Sequence, residues 1–329
     1  MSNKKDCKEC LHKTSVGGQA LIEGIMMQGP KGAAVSVRTP DGSIDTEMLE
    51  VKHAKDKFKP LGWPLIRGVV AYIESMLFGY KCLMISAEKS GLEDLEESEE
   101  NMSKLDKWLN DHINKKVLGV LTGVASVIGM LLAFLLFFYL PTIAVDFINK
   151  LSGDVLVNYR ALFEGIIRMM IFVAYIALVS LMKDIRRTFM YHGAEHKTIF
   201  CYEKGCELTV ENVKKQSRFH PRCGTSFIFV ILIISVVISS AISVTWPQLR
   251  DQTILWIAIK ILILPLITGI SYEFIKYAGR HENIFVKILS APGLWMQKLT
   301  TKEPDDGMIE VALAAFKAVI TDNPEDDAV

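Results

Sequence analysis

Long apolar stretches without charged residues constrain this sequence more than any other feature. One stretch runs from Val117 to Val145 and another from Cys223 to Leu249, and neither contains a charged residue. A helix of about 20 residues crosses the roughly 30 Å hydrocarbon core of a bilayer. Each stretch is long enough to do so, and the sequence therefore predicts a membrane protein that carries polar parts.

Two further stretches raise the predicted number of transmembrane helices to about four. The stretch from Ala161 to Met182 contains Glu164 and Arg168, whose four-residue spacing allows them to pair on one helix face. The stretch from Gln252 to Tyr272 is interrupted only by Lys260, whose long aliphatic stem would let the ammonium group reach toward the membrane surface.

An additional helix, predicted for residues 67–88, combines apolar composition with a regular stripe of charge. Arg67, Glu74, Lys81 and Glu88 recur every seven residues, which is about two helical turns. Because they form one narrow polar stripe, we interpret the helix as lying in the membrane interface or packed on the bundle. A fifth transmembrane span is the alternative.

The distribution of positive charge predicts how the chain is oriented. The 37 Lys and Arg residues balance 37 Asp and Glu residues, and the zero net charge argues against nucleic acid as a partner. Lys and Arg nevertheless concentrate in residues 1–66 and 183–222. The positive-inside rule places these regions and the C-terminus in the cytoplasm, with Trp246 and Trp256 expected at the outer interface.

Residues 17–58 have the pattern of a small β-structure. Apolar residues occupy 20–27, and two further apolar runs, 33–37 and 44–51, flank the turn sequence Thr39-Pro40-Asp41-Gly42. The predicted organisation is a flexible N-terminus (1–16), a cytoplasmic β-rich domain (17–60), the 67–88 helix, an acidic linker (89–116), a membrane bundle (117–280) with a cytoplasmic His-rich loop (183–224), and a cytoplasmic tail (281–329) with an amphipathic helix.

The His-rich loop contains the residues that best fit a metal site. His192 and His196 are four residues apart, so on a helix both imidazoles lie on one face. His220 begins a second group that ends with Cys223 just before the next apolar stretch. A reversal of the chain could bring His220 or Cys223 to the same divalent ion, for which zinc is the best match.

Zinc held by three protein ligands keeps a position for water, whose proton a nearby carboxylate can take. We predict His192, His196 and His220 as ligands, Cys223 as a further candidate ligand, and Glu195 as the general base. The order His-x-x-Glu-His occurs in inverzincin metallopeptidases, although no matching downstream glutamate ligand is evident. Surface histidines without metal are the alternative.

Three arginines flank these residues at the predicted inner membrane face. Arg187, Arg218 and Arg222 can act as positive anchors that contact membrane lipid. The alternative is that they hold an anionic substrate, for instance a lipid phosphate, beside the metal.

Several motifs together resemble those of a known family. They are Gly17 to Met27, Tyr191 to Lys197, His220 to Ser226, Pro292 to Trp295, and Glu303 to Asp306. In these motifs the chain resembles the YqhQ-like bacterial membrane proteins, domain-of-unknown-function family 1385. The resemblance implies a multi-pass protein of the bacterial cytoplasmic membrane. It also implies a metal-dependent enzyme, a label that family members have carried without an established reaction.

The leading hypothesis is a membrane enzyme with a metal site at the cytoplasmic face, most plausibly a hydrolase of unknown substrate. The rival hypothesis is a non-enzymatic scaffold or regulator with a structural metal site. In that case the β-rich domain or the C-terminal helix would bind protein partners. Ligand number separates the two, because a closed four-ligand site favours structure and an open three-ligand site favours catalysis.

Overall fold

The computed structural model describes residues 13–91, 115–153, 155–156, 159–249, 252–281, 283–321 and 323–327. Most of the predicted flexible N-terminus and most of the predicted acidic linker lie outside the described residues. The described chain forms two compact units. We call residues 13–91, 176–231 and 265–327 the sheet unit, and residues 115–175 and 232–264 the bundle unit.

The sheet unit begins with a four-stranded antiparallel sheet in the order β1-β2-β3-β4. The strands are β1 Gly17–Leu21, β2 Gly24–Gly29, β3 Gly32–Arg38 and β4 Ile44–Leu49. This confirms the predicted β-rich N-terminal region and the turn between β3 and β4, where Gly42 has a φ of +85°. The apolar run 20–27 is two strands, however, because Glu23 adopts a φ of +48° and reverses the chain.

Helices of the sheet unit cover both faces of this sheet. Their bounds are α1 Ala54–Lys57, α2 Ile66–Lys89, α6 Lys183–Glu203, α7 Val210–Lys214, α10 Ile284–Thr300 and α11 Asp306–Val319. One core joins α6 and α11 to the sheet through residues such as Ile25, Tyr191 and Phe316. A second core joins Cys82 of α2 to Leu21 and Val35. The helix α6 is thus packed against both the sheet and α11, and α11 also contacts the sheet directly.

The remaining helices are α3 Lys115–Phe134, α4 Leu140–Leu151, α5 Arg160–Val179, α8 Gly224–Thr245 and α9 Thr253–Arg280. A π-helical turn, Leu135–Tyr139, joins α3 to α4. Five described helical segments are long and apolar enough to cross a membrane: Ile66–Lys89, Gly123–Leu151, Arg160–Val179, Phe227–Thr245 and Thr253–Ala278. The chain is therefore mostly helical, and its membrane character follows from length and composition.

The bundle unit contains a buried polar cluster. Glu164 of α5 forms an ion pair with Lys260 of α9 and accepts a hydrogen bond from Thr142 of α4. The indole Nε1 of Trp256 donates to Glu164 Oε2 at 3.0 Å. Arg168 is only a secondary partner, at 3.9 Å. Lys260 and Trp256 are both buried, so the Lys260 ammonium group pairs with Glu164 inside the bundle unit and does not reach outward as the sequence suggested.

Candidate metal centre

The sheet unit brings three candidate metal ligands together. His192 and His196 lie one turn apart on α6, and their ring centroids are 4.4 Å apart. Cys223 precedes α8, and its Sγ lies 3.3 Å from His192 Nε2. One potential ligand atom from each of the three residues lies within 4.8 Å of the other two. Tetrahedral zinc, with bonds of about 2.0–2.3 Å, places nitrogen and sulfur ligands about 3.5 Å apart, so this trio fits such an ion.

Backbone carbonyls fix the protonation of both imidazoles. His192 Nδ1 lies 2.9 Å from the carbonyl oxygen of Thr300, and His196 Nδ1 lies 2.6 Å from that of Arg218. Because a carbonyl only accepts hydrogen bonds, each Nδ1 carries a proton, and Nε2 is the nitrogen that each ring can offer to a metal. Metal-binding histidines in proteins are oriented in this way.

His196 carries a buried nitrogen atom that could bind a metal. Its Nε2 is buried and has no hydrogen-bond partner among the described residues. Burial lowers the pKa of His196, while its interaction with Cys223 opposes this shift in part. The ring is therefore neutral near pH 7, which is the form that binds a metal.

The segment that carries Cys223 is fixed by α10. The side chain of Gln297 accepts a hydrogen bond from the His220 backbone N–H at 2.7 Å and donates one to the His220 carbonyl at 2.8 Å. Gln297 is fully buried. This pair of contacts sets the position from which Cys223 approaches α6.

Close packing at Gly193 positions the other side of the site. A Cβ at this position would lie 2.0 Å from the carbonyl oxygen of Lys302. The Lys302 backbone N–H donates to the Phe189 carbonyl at 2.8 Å. Glycine thus allows α6 to approach the segment whose Thr300 carbonyl orients His192.

Glu195 lines a cavity of about 910 Å³ together with two of the candidate ligands, His196 and Cys223, and with Gly18 and His220. Its carboxyl group is buried, and Oε2 has no hydrogen-bond partner in the part of the chain that the structure describes. Burial raises the pKa of Glu195, while His192, His220 and the Gly18 backbone N–H act against the rise. Burial thus shifts the carboxyl group toward its protonated form, and the neighbouring imidazoles and the Gly18 N–H favour its charged form.

His220 lies apart from the three-residue cluster. Its Nε2 is 3.4 Å from Glu203 Oε2, and its ring centroid lies 5.7 Å from that of His196. Burial lowers the pKa of His220 to about 4, so the ring is neutral. His220 lines the cavity of Glu195, and the structure does not place it with His192, His196 and Cys223.

Each of the three flanking arginines pairs with a carboxylate of the chain. The Arg187 Nη2 donates to Glu23 Oε2 at 2.6 Å, and Arg218 Nη1 lies 3.3 Å from Glu303. Arg222 pairs with the buried Glu203. These three guanidinium groups therefore already have anionic partners within the protein.

Sequence reasoning missed Glu203 and the groups that orient the ligands. Glu203 lies seven residues after His196, about two turns along the same face of α6, so helical spacing could have revealed it. The Thr300 and Arg218 carbonyls belong to the backbone, which every residue has, so the identity of these two residues gives no indication of the role.

Comparison with known proteins assigns the chain to a protein family. A family model described as "Protein of unknown function (DUF1385)" matches residues 63–322, and the chain belongs to this family. The uncharacterized protein YqhQ of Bacillus subtilis (strain 168) is 34% identical over 310 residues, which cover 92% of each chain. No solved structure matches the chain. The three candidate ligands and Glu195 all lie within the matched residues.

Proposed function

We propose that this protein is a membrane-bound, metal-dependent hydrolase whose metal site faces the cytoplasm. His192, His196 and Cys223 would hold one divalent ion of the zinc type. The observation that carries the proposal is the fixed orientation of the two imidazoles, whose Nδ1 atoms lie against backbone carbonyls while a thiol lies 3.3 Å from His192 Nε2.

Three protein ligands favour catalysis over a purely structural site. A zinc ion with three protein ligands holds a water molecule whose pKa falls to about 7. Glu195 supplies the carboxylate that would take the proton of that water, since it lines the cavity beside His196 and Cys223. Gly18 also lines this cavity, and because it has no side chain the β1 backbone can lie close to the Glu195 carboxyl group.

A structural metal site in a non-enzymatic scaffold is the second candidate function. It is favoured by His220, a buried neutral imidazole whose centroid lies 5.7 Å from that of His196. If His220 left Glu203 and became a fourth ligand, the site would close and no water could bind. The two functions therefore differ in the number of protein ligands that the ion has, which is three for catalysis and four for a structural site.

We further propose a bacterial cytoplasmic membrane location with both termini in the cytoplasm. The support is the concentration of Lys and Arg in residues 1–66 and 183–222, and the even number of four apolar segments that remain when α2 is set aside. The packing of Cys82 and Phe78 of α2 against the sheet favours a packed helix over a fifth span.

Cobalt substitution tests whether the site is open. The purified full chain would be loaded with Co²⁺ and titrated with acetohydroxamate, a small chelator that requires open coordination positions. We expect the visible cobalt spectrum to change in the wild type and in Glu195→Gln, which keeps all three ligands. An unchanged spectrum that responds only in His220→Ala would contradict the hydrolase proposal and support the structural site.

A further inference from the structure

A second cavity of about 530 Å³ adjoins Cys223 within the sheet unit. Its walls are mostly apolar and come from the beginning of α8, the end of α9 and one side of α10. The principal wall residues are Phe227, Val230, Phe274, Ile275, Val286 and Leu294. Phe227 and Phe274 lie near the ends of two helices that are long and apolar enough to cross a membrane. The cavity therefore lies where such helices meet the polar part of the chain.

The charged groups of this cavity all have one sign. Lys13, Arg222 and Lys287 line it, and none of the described lining residues is Asp or Glu. Arg222 pairs with Glu203, which lies outside the lining, whereas Lys287 is an exposed lysine at the rim of the cavity. An apolar chamber with a cationic rim is complementary to an amphiphile with an anionic head group.

The helix α10 indicates that this chamber lies at the membrane surface. Ile284, Ile288 and Trp295 point to one side of α10 and are 73%, 65% and 70% exposed. Val286, Ser290 and Leu294 line the cavity from the opposite side. A helix with an unpartnered apolar face and a tryptophan lies flat in a bilayer interface. The chamber would thus lie directly behind a helix that rests on the bilayer surface.

We infer that the chamber binds an anionic phospholipid, with its acyl chains on the apolar walls and its phosphate near Lys287 at the rim. Cys223 lines both this chamber and the cavity of Glu195. A lipid in the chamber would therefore bring its head group to the proposed metal. Naming such a lipid as the substrate class depends on the proposed function, whereas its binding does not.

Photo-crosslinking of the full chain in a neutral detergent tests the inference. The probes are phosphatidic acid with a diazirine in its acyl chain and a matched phosphatidylcholine, with labelled peptides mapped by mass spectrometry. We expect phosphatidic acid to label α8, α9 and α10 peptides of the chamber in preference to phosphatidylcholine. Excess inorganic phosphate should not prevent labelling, since it lacks the acyl chains that the walls hold.

Variants of α10 locate the binding site. Lys287→Gln should lower phosphatidic acid labelling about fivefold, because one lysine near an anionic surface contributes about 1 kcal/mol. Lys298→Gln is the matched control, since Lys298 is exposed on the same helix and does not line the chamber. Ser290→Trp should fill the chamber and abolish labelling by both lipids. The exposed Lys287 variant remains informative if Ser290→Trp fails to fold.

The two proposals fail in different ways. His192 does not line the chamber, so His192→Ala should lose the metal and keep the labelling. The lipid inference would be overturned, even in a metal-loaded protein, by labelling that is equal for both lipids and unchanged in Lys287→Gln and Ser290→Trp. Labelling that free phosphate abolishes would also overturn it. The expected labelling in a chain that binds no metal would support the lipid site and contradict the hydrolase.

Discussion

His192 and His196 show how two backbone contacts can prepare a metal site. Each Nδ1 lies within 2.9 Å of a carbonyl oxygen, which leaves both Nε2 atoms as acceptors beside Cys223. A metal would replace the missing partner of His196 Nε2 without a change of tautomer. At the scale of single residues, the orientation of the two imidazoles therefore supports the proposed metal site.

Gly193→Ala should disrupt this organisation. The new Cβ would lie 2.0 Å from the Lys302 carbonyl oxygen, so α6 and the segment with Thr300 must move apart. We expect a loss of about 1–3 kcal/mol in the free energy of unfolding and weaker metal binding. Thermal unfolding and zinc affinity in detergent measure the two effects.

Gly17→Ala is the control, because a Cβ at Gly17 would meet nothing within 4 Å. Equal stability and zinc affinity in the Gly193 and Gly17 variants would show that the close approach at Gly193 does not position the site.

The sequence predicted the site at this scale only in part. Helical spacing correctly placed His192 and His196 on one face of α6. The choice of His220 over Cys223 as third ligand could not be judged, because it depends on how the chain turns between Phe219 and α8. Tertiary contacts from Gln297 decide that turn, and they lie 77 residues away in the chain.

Gln297 links two elements, α10 and the segment before α8. In Gln297→Leu the His220 N–H would stay buried without its partner, at a cost of about 1–3 kcal/mol, and the His220 carbonyl would keep only the hydrogen bond from the Cys223 N–H. We expect a lower unfolding temperature together with loss of the metal. The exposed neighbour substitution Lys298→Ala should change neither, and a Gln297→Leu protein with normal metal content would refute the positioning role.

The helices of the bundle unit are joined by the buried ion pair of Glu164 and Lys260. Lys260→Met would leave the Glu164 carboxylate buried without its counter-ion, which costs about 3–5 kcal/mol. The double variant Glu164→Gln/Lys260→Met should recover most of the stability, as measured by thermal unfolding in detergent. No recovery in the double variant would show that the pair does not act as a unit.

The elements were predictable where local chemistry determines them. Thr39 to Gly42 predicted the β3–β4 turn, because proline, aspartate and glycine favour a reversal. The β1–β2 reversal was missed because Glu23, rather than glycine, adopts the positive φ there. Its side chain pairs with Arg187 of α6, a distant contact that supports this conformation.

At the scale of the whole molecule, the proposed topology predicts which loops a membrane-impermeant maleimide reaches. Asp41→Cys should react only after cell lysis, since the sheet is expected in the cytoplasm. Val155→Cys, at an exposed position between α4 and α5, should react in intact cells. The unaltered chain provides the background. Labelling of Asp41→Cys in intact cells would contradict the cytoplasmic placement of the sheet.

The metal content of the purified protein tests the central claim most directly. Elemental mass spectrometry should find close to one zinc-type ion per wild-type chain, retained in Glu195→Gln and lost in His192→Ala and Cys223→Ser. Cys201→Ser is the matched control, because Cys201 is a second buried free thiol and lies outside the site. A wild-type chain that stays empty after incubation with zinc, or equal metal in all variants, would contradict the proposed centre.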